Sequence, residues 1–229
     1  MDSSQAGSGR RLREAGDIVD LRTALDFLAQ FPGQLLTTKV EVDPYLELAG
    51  VYRRVGSGTP TAPPTKIGPA MLFENVKGSS AAVVAGVLAS RERTALLLGT
   101  SKERLVFDLM EALQRPVAPV SVPASAAPCQ EVIIQGPLDI RQVIPPIVST
   151  EKDAGVFLNM GLMRAEDPET GASDVTIHRM CIHGPDSLSV SFTPGRHIDV
   201  FRRKAEAMGK PLPVSVSIGL DPAIYVATS

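Results

Sequence analysis

One short segment of the chain concentrates the residues that could do chemistry. The segment SDVTIHRMCIHG, residues 173–184, carries Asp174, His178, Arg179 and His183, and the whole chain has only three histidines. Aspartate and histidine are common ligands of divalent metals, and a guanidinium binds a carboxylate through two parallel N–H donors. The segment is therefore compatible with a metal site, an anion site or a plain strand with polar side chains.

The alternation of side chains along a strand constrains these alternatives. Asp174, Thr176 and His178 share one face of a strand, whereas Arg179 and His183 fall on the other. Five strand residues span roughly 16 Å, which is the length of an extended cofactor rather than of a metal ion. We therefore predict a bulge or bend between Asp174 and Arg179, or a ligand that lies along the strand. A metal-dependent hydrolase that uses Asp174, His178 and His183 is disfavoured, because His183 is on the wrong face.

A third histidine opens a predicted helix in the segment TPGRHIDVF. His197 follows the turn Pro194-Gly195 directly after Arg196. Because exposed N–H groups at a helix start favour anions, Arg196 and His197 are candidates for a phosphate or metal–phosphate pocket. A Pro-Gly turn before a helix is also common in sites without any function, so this signal is weak by itself.

Composition excludes several functional classes. The chain of 229 residues is 44% hydrophobic, has a net charge of -2 and contains 4% aromatic residues with no Trp. These values give no case for a membrane or nucleic-acid partner, since a span needs about 20 apolar residues and single-strand binding needs stacking platforms. Cys129 and Cys181 lack a nearby partner cysteine, so we expect reduced cysteines in a cytoplasmic protein.

Pro- and Gly-rich stretches divide the chain into predicted segments. In the N-terminal half, helices are expected at residues 20–31, with Asp20 as the cap, behind Asp43-Pro44, with Pro44 at the first helical position, and at 101–115, with Leu113 on the apolar stripe. Strands are expected between them, one of them over residues 81–89, and a Gly- and Pro-rich loop is expected at 56–69. The second half carries short strands, including 130–136 and 140–148, a hairpin around EDPETGAS, and one long helix that ends at Gly209. Asp221, followed by Pro222, is a candidate cap for a further helix near the last residues. The predicted segments are a disordered leader, 1–17, an α/β N-terminal domain, 18–115, a Pro-rich linker, 116–128, and a barrel or sandwich domain, 129–229.

Several ordered blocks resemble the UbiD family of decarboxylases, from about Asp20 to the last residue. They are EVDPYLELAGV, AMLFENVKG, APCQEV, DAGVFLNMGLM, DPETGASDVTIHRM and KPLPVSVSIGLDPA. The resemblance implies an α/β N-terminal domain followed by a split β-barrel flavin-binding domain, truncated here, and an α+β fold overall. It also implies reversible non-oxidative decarboxylation of aromatic, heteroaromatic or α,β-unsaturated carboxylic acids, with release of CO2. The implied cofactors are prenylated FMN, Mn2+ and K+. The DVTIHR variant is similar to members that act on pyrrole- or furan-type carboxylates.

The resemblance also implies roles for single residues. Arg179 matches the arginine that pairs with the substrate carboxylate, and His197 matches a metal-binding histidine. Asp174 falls where the family has a metal-binding asparagine, and its carboxylate is still a hard oxygen ligand. The expected cofactor contacts, on the flavin or beside the potassium ion and phosphate, are Asn159, Thr176, Ile177, His178, Arg179, Arg196, His197, Thr228 and Ser229.

Family members are considerably longer than this chain, which stops before their third metal ligand and their catalytic glutamates. We therefore expect an N-terminal fragment of such an enzyme that is inactive by itself. The alternative is a non-catalytic cofactor-binding or assembly subunit of a split enzyme. The expected partners of the full-length protein are a small carboxylic acid, a flavin prenyltransferase that supplies the cofactor, and further copies in a homo-oligomer.

Overall fold

The structure is a computed structural model that describes residue 14 and residues 16–57 and 68–228. Most of the predicted leader, most of the predicted loop at residues 56–69, and Ser229 lie outside the described residues. Over the described residues the protein is a mixed α+β structure with two separate sheets.

The N-terminal half builds a three-stranded sheet with helices around it. Strands β1 and β2 are parallel, and β3 is antiparallel to β2. The elements in chain order are α1 (Leu21–Ala29), β1 (Leu35–Thr38), α2 (Glu47–Arg54), β2 (Ala70–Phe73), β3 (Val83–Ala85), α3 (Arg91–Leu97) and α4 (Leu105–Leu113).

Helix α1 forms where its capping residues predict it. The Asp20 carboxylate accepts the N–H of Thr23 at 2.8 Å, and the Thr23 hydroxyl accepts the N–H of Asp20 at 3.0 Å. This reciprocal cap satisfies N–H groups that the first turn leaves unpaired. The buried face of α1, which includes Phe27 and Leu28, packs with Leu96 of α3 in one apolar cluster.

The prediction that α2 begins at Pro44 is wrong. The carboxylate of Asp43 accepts the N–H of Tyr45 at 2.8 Å, which makes a turn, and Leu46 then adopts a positive φ of 64°. The helix consequently starts at Glu47. Asp43 therefore stabilises a turn before the helix rather than the helix itself.

The stretch between β3 and α4 also differs from its prediction. A strand over residues 81–89 was expected to lead directly to a helix at 101–115, but β3 ends at Ala85 and the unpredicted α3 follows. Ser90 explains α3, because its hydroxyl accepts the N–H of Arg93 as an N-cap. Helix α4 begins only at Leu105, and Leu113, expected on its buried stripe, is 81% exposed.

The C-terminal half builds a four-stranded antiparallel sheet in the order β6-β5-β4-β7. The predicted hairpin around EDPETGAS joins β4 to β5, and the long helix ends as predicted before Gly209, whose φ is 68°. The elements in chain order are α5 (Ile140–Val143), β4 (Val156–Glu166), β5 (Ser173–Ile182), β6 (Leu188–Val190), α6 (His197–Ala207), β7 (Val214–Ser217) and α7 (Pro222–Ala227).

The two strands predicted at residues 130–136 and 140–148 do not form. Residues 132–134 lie in irregular backbone, and residues 140–143 make the short helix α5. Asp139 caps α5 by accepting the N–H of Arg141 at 3.0 Å. Pro145 and Pro146 then lack the N–H groups that a strand ladder requires.

The second sheet is open over the described residues, with β6 and β7 as its edges. One of its faces packs on α6, where Leu158, Met180 and Ile198 form part of a buried cluster. Gly161 of β4 lets Met180 approach closely there, because a Cβ at this position would lie 2.1 Å from the methyl carbon of Met180, which would then have to move. Among the described residues, no helix is long and apolar enough to cross a bilayer.

Candidate cofactor and substrate site

The first half of β5 has one unpaired edge. Strand β6 pairs only with Met180, Cys181 and Ile182, so the stretch 173–178 is flanked by β4 on one side and, within the described residues, by no strand on the other. A cavity of about 760 Å³ lies along this edge, a volume in the usual range for small-molecule and cofactor sites. The strand lines it with residues 173–178, facing the loop before α6, the start of α6 and the end of α7.

The free edge explains why successive residues of β5 reach one cavity. A ligand above a sheet meets only every second side chain, whereas a ligand beside a strand also meets the backbone. The alternation argument correctly separates Thr176 from Ile177 by face, and the edge position lets both line the same cavity. Backbone N–H and C=O groups that point away from β4 are thus available to a ligand.

Asp174 and His197 meet at one end of the cavity. The Nδ1 atom of His197 lies 3.5 Å from Oδ2 of Asp174. The predicted metal ligands therefore come together, although one is on β5 and the other is the first residue of α6. Within the described parts of the chain no group of three or more His, Cys, Asp or Glu side chains could hold a metal, so this pair needs further ligands.

His178 contributes an unpaired nitrogen to the same cavity. Its ring packs edge-on against Phe192, with centroids 5.1 Å apart, and its Nε2 atom is buried without a hydrogen-bond partner. Burial lowers the pKa of His178, and the opposing effect of Asp174 is smaller. The imidazole is therefore neutral near pH 7, and its Nε2 atom can form a hydrogen bond with a group in the cavity.

Arg196 and Thr228 complete the predicted contacts that line the cavity. Arg196 is the N-cap residue of α6, and Thr228 follows α7 with its hydroxyl bonded to the carbonyl of Ile224 at 3.1 Å. The α6 start is held by Asp199, whose carboxylate accepts the N–H of Gly195 at 3.0 Å. The predicted contact at Ser229 lies outside the described residues.

Arg179 and Asn159 lie outside the cavity lining and contact each other. The Nε atom of Arg179 donates to Oδ1 of Asn159 at 2.8 Å, and Nη2 lies 2.8 Å from Oδ2 of Asp153. The guanidinium carbon stacks on the Phe157 ring at 3.7 Å from its centroid. Arg179, the candidate for binding the substrate carboxylate, is therefore held by three residues. Asn159, expected to contact the cofactor, contacts Arg179 instead in this structure.

The bulge predicted in β5 between Asp174 and Arg179 does not form, because residues 173–178 pair regularly with β4; a bulge lies in β4 instead. Leu158 pairs with Met180 and Gly161 pairs with His178, so two residues of β4 oppose Arg179 alone. Such a bulge bends the strand and redirects side chains. It places Asn159 where its side chain meets Arg179.

His183 has no part in this site. Its Nε2 atom lies 2.6 Å from the hydroxyl of Ser189, and it does not line the cavity that contains Asp174 and His178. The sequence argument against a metal-dependent hydrolase built on these three residues is thus supported by their positions.

The sequence argument assigned no role to Asp153, Phe157 or Phe192. These residues touch Arg179 or His178 across the sheet or from a loop. No pattern of residue spacing in the sequence predicts these contacts, because they depend on the register of β4 against β5 and on the path of the chain after β6.

Comparison with protein families identifies the chain. Residues 28–113 match the 3-octaprenyl-4-hydroxybenzoate carboxy-lyase N-terminal domain, and residues 120–229 match the Rift-related domain of the same enzyme family, UbiD. The chain belongs to the UbiD family. Its membership agrees with the ordered blocks seen in the sequence.

Several relatives of this UbiD chain are decarboxylases by name. The gallate decarboxylase of Lactiplantibacillus plantarum is 39% identical over 92% of this chain and 44% of its own. The crystal structure of apo 3,4-dihydroxybenzoic acid decarboxylase (AroY) from Klebsiella pneumoniae has a TM-score of 0.84 and 50% identity, with the same coverage of 92% and 44%.

A second similar structure contains a flavin. It is an evolved dimeric form of the UbiD-class enzyme HmfF from Pelotomaculum thermopropionicum in complex with prFMN, with a TM-score of 0.82, 33% identity and coverage of 91% of this chain and 46% of its own. The UbiD chain described here thus spans somewhat less than half the length of the relatives it matches.

Proposed function

We propose that this chain is the N-terminal part of a UbiD-type decarboxylase, a carboxy-lyase that acts on aromatic or heteroaromatic carboxylic acids with prenylated FMN. The observation that carries the proposal is the cavity along the free edge of β5. Asp174 and His178 of β5 and His197 at the start of α6 line this cavity. Arg179, the next residue of β5 after His178, is bound to Asp153. The family membership and the named decarboxylase relatives support this assignment.

The donors in the cavity fit a flavin phosphate with its metal. Asp174 would offer a carboxylate oxygen and His197 an imidazole nitrogen, a donor pair that would hold Mn2+ together with further ligands. The start of α6 with Arg196 favours the phosphate, and Thr228 with Ser229 is proposed to lie beside K+. The unpaired Nε2 of His178 is the orphaned group that a bound flavin would satisfy. Thr176 and Ile177 complete the proposed flavin contacts.

The cofactor supplies an electron sink for the carbon that loses CO2, and the protein residues orient both partners. Arg179 binds the substrate carboxylate, since a fixed guanidinium offers parallel donors. Neutral His178 holds the cofactor edge without adding a charge. The ring of Phe157 packs against the flat face of the Arg179 guanidinium and restricts its movement.

A proton donor for the product carbon is still required. Asp153 is the carboxylate that contacts Arg179 in the described part of the chain, and the hydrogen bond from Arg179 lowers its pKa. Asp153 therefore stays ionised near pH 7 and does not act as the general acid. This observation favours a second candidate, a non-catalytic cofactor-binding or assembly subunit of a split enzyme. Under the main proposal, the acid comes from a part of the enzyme that corresponds to the portion of the relatives outside the match.

The proposed fold and domains follow the same assignment. The open antiparallel sheet is proposed to be part of a split flavin-binding barrel, residues 129–229, joined by the linker 116–128 to the α/β domain, 18–115. Exposed apolar side chains on the edge strand β7, among them Val214 at 47%, support further strands beside it. Assembly into a homo-oligomer and supply of the cofactor by a flavin prenyltransferase belong to the same proposal.

The substrate is proposed to be a hydroxylated benzoic acid. The relatives named for gallate and 3,4-dihydroxybenzoic acid are 39% and 50% identical to the chain, and this favours phenolic acids. The DVTIHR motif favours a pyrrole- or furan-type carboxylate instead, so both classes belong in one panel.

The test is co-expression of the complete reading frame that contains this chain with a flavin prenyltransferase. We expect flavin-like absorbance, bound manganese by elemental analysis, and CO2 release from members of the panel. A colourless, metal-free and inactive product contradicts the cofactor assignment. Coloured, metal-loaded protein without CO2 release from any panel acid favours the non-catalytic subunit.

A further inference from the structure

The guanidinium of Arg179 is held through two of its three nitrogen atoms. Its Nε atom donates to the amide oxygen of Asn159, and its Nη2 atom lies beside the carboxylate of Asp153, each at 2.8 Å. Within the described residues, Nη1 has no protein partner, although it is also an N–H donor.

The partner carboxylate is itself anchored. Oδ2 of Asp153 accepts the backbone N–H groups of Ser149 at 3.0 Å and Thr150 at 3.2 Å, and its side chain is only 9% exposed. Asp153, Phe157 and Asn159 all lie within residues 153–159, so one segment of the chain contacts the flat face of the Arg179 guanidinium and its Nε and Nη2 atoms. This arrangement restricts the rotation of a long side chain that is 43% exposed.

The ion pair between Arg141 and Asp139, which lies outside the proposed site, serves as a comparison for Arg179. Arg141 gives two nitrogen atoms to Asp139, with Nε at 2.8 Å from one carboxylate oxygen and Nη2 at 2.7 Å from the other. Arg179 instead gives Nε to a neutral amide, so only Nη2 lies beside its carboxylate partner. The pairing of Arg179 with a carboxylate is therefore not the bidentate one, and its guanidinium can still bind a second carboxylate.

We propose that Asp153 and Asn159 are positioning residues for Arg179, which hold its Nε and Nη2 atoms so that the guanidinium, with Nη1 free, is presented to the substrate carboxylate. The inference rests on the proposed function, in which Arg179 binds that carboxylate. It adds Asp153 to the site and changes the role of Asn159 from a cofactor contact to a contact of Arg179.

The test uses Asp153→Asn in the complete cofactor-loaded protein, with Asp139→Asn as the matched control. Both variants exchange an arginine-bound aspartate for its amide, but only one of them affects Arg179. We expect Asp153→Asn to lower kcat/KM about 10-fold or more, mainly through kcat, because misplacement of a binding group is costly. The Asp139→Asn protein retains the parent value. Arg179→Lys combined with Asp153→Asn should lose little beyond Arg179→Lys alone, since both changes act on one interaction.

A chemical readout keeps the test independent of turnover. Phenylglyoxal modifies guanidinium groups that are accessible and weakly paired, and peptide mass spectrometry reports each arginine separately. We expect Arg179 to react several-fold faster in Asp153→Asn than in the parent and in Asp139→Asn. Arg93, which is fully buried and donates to three backbone carbonyls, reports on global unfolding and must stay unreactive in every protein.

The two readouts separate the possible failures. If the parent shows no decarboxylation but Arg179 reacts faster in Asp153→Asn, the proposed function fails and the positioning contact stands. If the parent is active and Asp153→Asn matches it in kcat/KM and in Arg179 reactivity, the positioning inference is overturned and the function stands. Faster reaction of Arg179 with unchanged kcat/KM also overturns the inference, because the contact then serves only the fold.

Discussion

His197, the first residue of α6, places its Nδ1 atom 3.5 Å from the carboxylate of Asp174 near the start of β5. An imidazole and a carboxylate at this distance can share a hard divalent cation after small side-chain movements. The pair closes one end of the cavity along the free edge of β5. The positions of the metal, the flavin and the substrate carboxylate in the proposed function all follow from this pair and from Arg179.

Asp174 and His197, the proposed metal ligands, predict that manganese binding depends on which side chain replaces them. Asp174→Ala and His197→Ala should each weaken Mn2+ binding at least about 10-fold, since removal of a ligand costs no less than removal of an outer-shell partner. Asp174→Asn should retain most of the affinity, because the amide oxygen is still a hard donor. Metal content after dialysis against graded Mn2+ measures the effect. His183→Ala is the matched control, since His183 contacts Ser189 outside the cavity, and an equal loss in this control contradicts the site.

The buried nitrogen of His178 predicts a conflict between stability and cofactor binding. Replacing His178 with leucine removes an unpaired polar atom and should raise the free energy of unfolding of the cofactor-free protein by about 1 kcal/mol. The same change should reduce the flavin retained after purification. Thermal unfolding and flavin absorbance measure the two effects.

Gln34 supplies the matched control for His178. Its Oε1 atom is also buried without a partner, but it lies away from the cavity along β5. Gln34→Leu should therefore gain similar stability and retain flavin at the parent level. If His178→Leu retains flavin as well as this control does, His178 does not contact the cofactor.

Arg179 predicts a loss of activity that a lysine cannot restore. Lysine keeps the positive charge but offers no fixed pair of parallel donors. Arg179→Lys in the complete loaded protein should lower kcat/KM by about 100-fold or more. Flavin absorbance and manganese content should stay at the parent level, because Arg179 is not among the residues that line the cavity. Arg164→Lys on the neighbouring strand, where the arginine contacts Glu166, should leave kcat/KM unchanged.

Asp199 predicts how the stability of the start of α6 depends on pH. Hydrogen bonds from Arg203, Arg202 and the N–H of Gly195 lower the pKa of this buried aspartate well below its usual range. The unfolded chain therefore binds the proton more readily than the folded one, with a pKa of about 3.9. The resulting stability is fully present above about pH 5 and is lost as the pH falls further.

Asp199→Asn tests this dependence. The variant should unfold several degrees below the parent at pH 7, and the difference between the two proteins should shrink as the pH falls below about 4. Thermal unfolding over this pH range measures it. Asp186→Asn at an exposed position is the control and should follow the parent at every pH. A constant difference between parent and Asp199→Asn across the range contradicts the proposed cause.

The elements that the sequence predicted well are those whose signals are local. The cap of α1 by Asp20, the cap of α7 by Asp221 and the stop of α6 at Gly209 depend on residues within one turn of each other. The turn at Asp43 was misjudged because a carboxylate that caps helices also caps turns. The strand predicted at residues 140–148 failed for a similar reason, since Asp139 capped a helical turn there instead.

The sequence by itself determined which chemical groups are present and which family the chain resembles, because both depend on residue identity and order. Only the tertiary structure decided that Asp174 meets His197, that the edge of β5 beside Thr176 is free, and that Asp153 holds Arg179. These relationships join residues from separate elements. Their geometry is set by strand register, by the bulge in β4 and by the packing of α6 on the sheet, none of which is encoded within a single stretch of the chain.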